Sequence, residues 1–113
     1  MAPTNLIHFG VDPQLASLRS KLLMSFGFQM HSCSSLSELD ATLKRRNIQG
    51  CLVCQTVPGK MLETVEKLLA ENRIPMLVLT SEGPQLAETA SIRYSSTAAR
   101  EFLPKLQAMM SRR

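Results

Sequence analysis

Cys51 and Cys54 stand three apart in the stretch Cys51-Leu52-Val53-Cys54-Gln55-Thr56-Val57-Pro58-Gly59. That spacing serves thiol–disulfide exchange or one half of a zinc site. The residues around the pair argue against both uses. Leu52 and Val53 favour an apolar strand, and Pro58-Gly59 ends it in a turn. Side chains alternate along a strand, so thiols three apart face opposite sides. Their Cα atoms would lie about 10 Å apart, beyond the reach of a disulfide. Redox pairs of the thioredoxin kind open a helix instead, where the dipole stabilises the thiolate. No second Cys or His pair completes a zinc tetrad. Cys51 therefore reads as a buried structural residue. Cys54 stays a separate candidate as a sensing thiol. The sequence places no Lys or His beside it, and an inert, partly buried thiol is the default.

The remaining chemistry-bearing residues are scattered. His8 falls within an apolar strand pattern and His31 near the end of another, and neither has a partner motif. Thr80 ends a strong apolar run. A strand-end hydroxyl there serves a loop amide at least as readily as a ligand. Lys44-Arg45-Arg46 and Arg112-Arg113 could meet nucleic acid, but they also suit a helix end and a frayed terminus. Met109-Met110 could form a soft contact surface, although their helical spacing with Phe102 and Leu106 favours the core.

The elements that must position these residues alternate along the chain. Asn5–Phe9 predicts a strand. Asp12-Pro13 predicts a helix start, with Asp as N-cap and Pro at the first helical position. Leu15, Leu18, Leu22 and Phe26 recur at helical spacing and predict one buried stripe, which Gly27 ends. Phe28–Ser32 is a weaker strand. Ser35 and Glu38 form a capping box for a helix carrying Leu36, Leu39 and Leu43. Cys51–Gln55 predicts a strand buried on both faces. Gly59 leads into a helix with Met61, Leu62, Val65, Leu68 and Leu69. Ile74–Thr80 is the strongest strand. Residues 81–90 hold at most a short helix, 91–95 a last strand, and 97 onward a helix. Pro104 should kink that helix or delay its regular start. Five β/α units in this order predict an α/β fold: a five-stranded parallel sheet, doubly wound as a three-layer α/β/α sandwich. Function in this class gathers at the carboxyl ends of the strands.

Length and composition agree with that reading. The 113 residues, 44% of them hydrophobic, suit one domain with a modest aliphatic core, so residues 1–113 read as a single unit. A formal charge of +4 is mild for a dedicated nucleic-acid protein. No apolar run is long enough to span a membrane, and the first residues, with no basic region ahead of an apolar core, predict no signal peptide. Three cysteines without framework spacing fit a reducing, cytoplasmic setting.

The order of elements resembles the receiver domain of two-component response regulators, which has a flavodoxin-like fold. Leu6-Ile7-His8-Phe9-Gly10-Val11-Asp12-Pro13 resembles the first strand and its acidic loop. Leu52-Val53-Cys54-Gln55-Thr56-Val57-Pro58-Gly59 resembles the third strand, the phosphoacceptor and the turn. Ile74-Pro75-Met76-Leu77-Val78-Leu79-Thr80-Ser81 resembles the fourth strand and its hydroxyl switch residue. The resemblance implies an aspartate acceptor, an acid pair holding Mg²⁺, a lysine after the fifth strand and a switch hydroxyl. The residues depart from this set. The acid pair falls on Gly10 and Val11, with Asp12 better placed as a cap. The acceptor falls on Cys54, the lysine near Ser95, and only Thr80 keeps its type. The short gap before the last strand implies a shortened fourth receiver helix. The expectation is a non-phosphorylatable, bacterial, receiver-like domain that is not an enzyme. It would take no cofactor and no Mg²⁺-dependent phosphoryl donor, and would act on a protein partner, with a homodimer as one arrangement. A thiol sensor working through Cys54 and a basic nucleic-acid adaptor are the alternatives.

Overall fold

The computed structural model describes residues 4–81 and 92–111. Five strands run in the order β1 (Thr4–Phe9), β2 (Phe28–Cys33), β3 (Gly50–Val53), β4 (Met76–Leu79) and β5 (Ile92–Ser95). Four helices accompany them: α1 (Pro13–Ser25), α2 (Leu36–Arg45), α3 (Gly59–Glu71) and α4 (Ala99–Ser111). The strands form one parallel sheet in the order β2-β1-β3-β4-β5. The sheet reverses direction beside β1, and a doubly wound fold opens its crevice at such a point, between β1 and β3. The expected shortened helix falls on residues 82–91, outside the described residues.

Each face of the sheet has its own core. Ile7, Phe9, Cys51, Val53, Met76 and Val78 pack under Leu39 of α2 and Val65 and Leu69 of α3. Leu6, Leu52, Leu77 and Leu79 pack under Leu23 of α1 and Phe102, Leu106 and Met109 of α4. Every residue of β3 and β4 is buried, as two covered faces require.

Local chemistry sets the boundaries. Asp12 Oδ1 accepts from the N–H groups of Gln14 and Leu15 at 2.9 and 3.2 Å, which fixes the start of α1. Gly27 follows the end of α1 with φ +93°, a conformation that suits glycine. Ser35 Oγ accepts from the Glu38 N–H at 3.2 Å. Glu38 reaches back one residue further than a capping box requires and accepts from Ser34 N at 3.0 Å. Helix α4 runs through Pro104 from Ala99, so the proline does not delay its start.

The predicted stripe on α1 is not the buried one. Arg19 and Leu23 point inward, whereas Leu18 is 66% exposed and Phe26 51%. Leu15 and Leu22 lie at the edges of the buried face. The cause is the spread of apolar residues around this helix. Leu15, Leu18, Leu22, Leu23 and Met24 surround it, so spacing alone does not select a face. Arg19 supplies inward hydrogen bonds that a leucine could not.

Candidate functional site

The carboxyl ends of β1 and β3 meet beside α1. Cys54 N donates to Phe9 O at 2.8 Å, and Gly10 N donates to Cys33 O at 3.0 Å. These bonds hold the carboxyl ends of β1, β2 and β3 side by side. Gly10 needs the absence of a side chain here. A Cβ on it would stand 2.5 Å from Cys54 Cβ, 3.2 Å from Cys54 Sγ and 3.3 Å from His8 Cε1.

Cys54 is 1% exposed and faces the α1 side of the sheet, away from Cys51. That separation follows from strand alternation, and all three thiols are free. Arg19 reaches down from α1 onto it. Nη1 donates to Cys54 Sγ at 3.2 Å and Nη2 to Gln55 Oε1 at 2.9 Å. Thr56 Oγ1 also donates to Cys54 Sγ, at 3.2 Å. Sequence reasoning placed no cation at this thiol, and Arg19 corrects it. The side chain was missed because an arginine between leucines on a helix reads as surface.

Arg19 is 7% exposed, and no carboxylate among the described residues pairs with it. Among the described residues the ion pair is Lys44–Asp40, an exposed i,i+4 contact. A buried cation without a counter-ion costs several kcal/mol unless hydrogen bonds offset it. Cys54, Gln55 and the residual access to water supply that offset here.

His8 lies beside this cluster with no exposed surface. Neither ring nitrogen has a hydrogen-bond partner among the described residues. Burial, and then the Arg19 charge, push its pKa down to about 4, with a weak contact to its own backbone working the other way. The imidazole is therefore neutral near neutral pH. His31 differs, because its Nε2 lies 3.2 Å from Asn5 Oδ1.

The other predicted positions disperse. Val11 is 46% exposed, and the Asp12 carboxylate is engaged in its cap. Thr80 and Ser95 end adjacent strands, with Thr80 N donating to Ser95 O at 2.9 Å. The Ser95 side chain is buried. Cys33 and Cys51 are shielded thiols. Burial pushes the pKa of both up, against a bond from Thr42 at Cys33 and with added repulsion from Cys33 at Cys51. No group of three or more His, Cys, Asp or Glu that could hold a metal ion occurs among the described residues. A cleft of about 470 Å³ opens at the same end, between Gly10, Val11, Pro13, Cys33 and Glu38. No described helix is long and apolar enough to cross a membrane.

No protein-family model matches the chain, and no curated protein matches it in sequence. Solved structures match it in shape. A CheY-like response regulator receiver domain from Methylobacillus flagellatus superposes with a TM-score of 0.74 at 14% identity, over 96% of this chain and 99% of that one. Chemotaxis protein CheY4 of Vibrio cholerae gives 0.76 at 13% identity, over 96% and 99%. The signal receiver domain of an HD domain-containing protein from Pseudomonas fluorescens gives 0.77 at 13% identity, over 98% and 97%. Over nearly its whole length, the chain has the fold of a response-regulator receiver domain.

Proposed function

We propose that the chain is a single receiver-like signalling domain that works without aspartyl phosphorylation, through contact with a protein partner. One observation carries the reading: Arg19 Nη1 lies 3.2 Å from Cys54 Sγ, at the end of β3. In a receiver that place belongs to the acceptor aspartate, beside a divalent cation held by acids. A hard cation needs oxygen ligands. Gly10 and Val11 bring none by side chain, Cys54 brings sulfur, and Arg19 already brings a positive charge. Magnesium does not fit these residues, and no step is routed through it. A carboxylate at Gly10 would also collide with Cys54.

On this reading Arg19 stands in for the cation, and no phosphoryl group divides the domain between two states. Thr80 and Ser95 then serve the ends of β4 and β5 rather than a phosphate. A domain of this kind retains its outer surface as its means of action. Incubation with acetyl phosphate and Mg²⁺, followed by intact mass measurement, tests the first half of the reading. A hydroxylamine-labile phosphoryl adduct would refute it. Capture of a protein from the native cell by the wild-type chain, lost on surface substitution, tests the second half. Salt-sensitive binding of DNA at low ionic strength would instead favour the basic adaptor.

A further inference from the structure

We propose that Cys54 is a site of oxidation by hydroperoxides, and that Arg19 and His8 are built to receive the oxygens this adds. The proposal deepens the reading above by assigning a regulatory chemistry to the position that lacks an aspartate.

Two independent observations point the same way. Arg19 is a buried cation with no carboxylate partner among the described residues. Of the two side chains it touches, Gln55 cannot become negative at its oxygen, whereas an oxidised Cys54 can. His8 is fully buried with both ring nitrogens unpartnered among the described residues, although buried imidazoles are ordinarily bonded. Its Cε1 and Cys54 Sγ both lie within 3.3 Å of the point where a Gly10 Cβ would stand. The neutral ring has one N–H to donate and faces the cluster with no acceptor. Oxygen atoms on Cys54 Sγ would supply the missing acceptor and the missing counter-ion together.

The chemistry balances with a hydroperoxide as the oxidant. The sulfur lone pair attacks one peroxide oxygen and the O–O bond breaks. The thiol becomes a sulfenic acid, and the other oxygen takes the thiol proton and leaves as water from hydrogen peroxide or as the alcohol from an organic hydroperoxide. Sulfur loses two electrons and the peroxide gains them. A second equivalent repeats the transfer and gives a sulfinic acid, which releases its proton to solvent. A sulfinate has two oxygens on one atom and a negative charge, as an aspartate carboxylate does, although its sulfur is pyramidal where the carboxylate carbon is planar. Guanidinium groups bind that geometry with two parallel bonds. Oxidation would thus install an acid-like group at the acceptor position, already paired with a cation. The cleft of about 470 Å³ is lined by Gly10 but not by Cys54, which is 1% exposed, so a peroxide reaches the thiol through local opening beside Gly10.

The test uses the whole chain and hydrogen peroxide, with oxygen addition mapped by peptide mass spectrometry. Cys54 should gain one and then two oxygens before Cys33 or Cys51 gains any. Oxidation should also shift the His8 ring resonances, as a new bond partner requires. Arg19→Met should slow Cys54 oxidation about tenfold or more, because the negative charge developing on the added oxygens loses its paired cation, with Arg19→Lys intermediate. Oxidation of Cys33 or Cys51 first, or a folded chain whose Cys54 survives excess peroxide, overturns the proposal. So does oxidation of Cys54 that leaves His8 unmoved. If Arg19→Met does not fold, the order of oxidation and the His8 shift in the wild type decide alone. Failure here leaves the phosphoryl-donor result untouched, and an acyl phosphate there would leave the peroxide map untouched, so the two readings fail separately.

Discussion

Acidification should remove the stability that a sealed, neutral His8 provides. An unfolded histidine takes up a proton near pH 6.5, whereas the folded His8 resists until about pH 4. Between those values the unfolded state binds more protons, so stability falls as pH falls. The contribution is fully present above about pH 6.5, is lost progressively below it, and levels off below about pH 4. At about 1.4 kcal/mol per pKa unit the whole passage is worth roughly 3 kcal/mol, and about 2.5 of it is gone by about pH 4.5. That is a large share of the roughly 5–15 kcal/mol of a small domain. Carboxylates and His31 also titrate across this range, so the comparison is with His8→Leu, which fills similar space without a proton site. Urea unfolding of both proteins at several pH values gives two curves. The wild type should lose about 2.5 kcal/mol more than the variant between about pH 7.5 and 4.5. Parallel curves would refute the reasoning, and so would a His8 ring that titrates near pH 6.5 by NMR.

The orientation of α1 gives a second test. Leu23→Ala should cost about 2–5 kcal/mol, because it empties a fully buried site. Leu18→Ala should change stability by about 0.5 kcal/mol or less, and a reversed order would restore the stripe expected from spacing. Gly10→Ala should destabilise by about 1–3 kcal/mol through its contact with Cys54 Cβ. Most of that loss should be recovered in the double variant with Cys54→Gly, read as a coupling energy in a double-mutant cycle. Asp12→Ala should cost about 1 kcal/mol in thermal unfolding, the loss of a helix cap. A neutral result would remove Asp12 from that role.

Much of the fold was legible because its signals are local. Two apolar runs, residues 51–53 and 76–79, announced buried parallel strands. Asp12-Pro13 and Ser35 announced helix starts, and Gly27 a helix stop. The separation of Cys51 from Cys54 followed from strand alternation alone. The failures have a common physical cause. Which face of α1 is buried depends on what lies across from it, and Leu18 and Leu23 are equally apolar. Arg19 becomes a site residue only when α1 is laid over the end of β3, 35 positions away. His8 was visible as a strand residue, but its lack of a partner is a property of packing. Gly10 in the sequence is a position without a side chain, and only the distance to Cys54 shows why none fits there.

The central claim is that Arg19 and Cys54 have replaced the phosphorylation machinery of a receiver. Exposure of the purified chain to acetyl phosphate and Mg²⁺, read by intact mass with and without hydroxylamine, tests it most directly. The account predicts an unchanged mass at any Mg²⁺ concentration. A stoichiometric, hydroxylamine-labile phosphoryl adduct that depends on Mg²⁺ would contradict it.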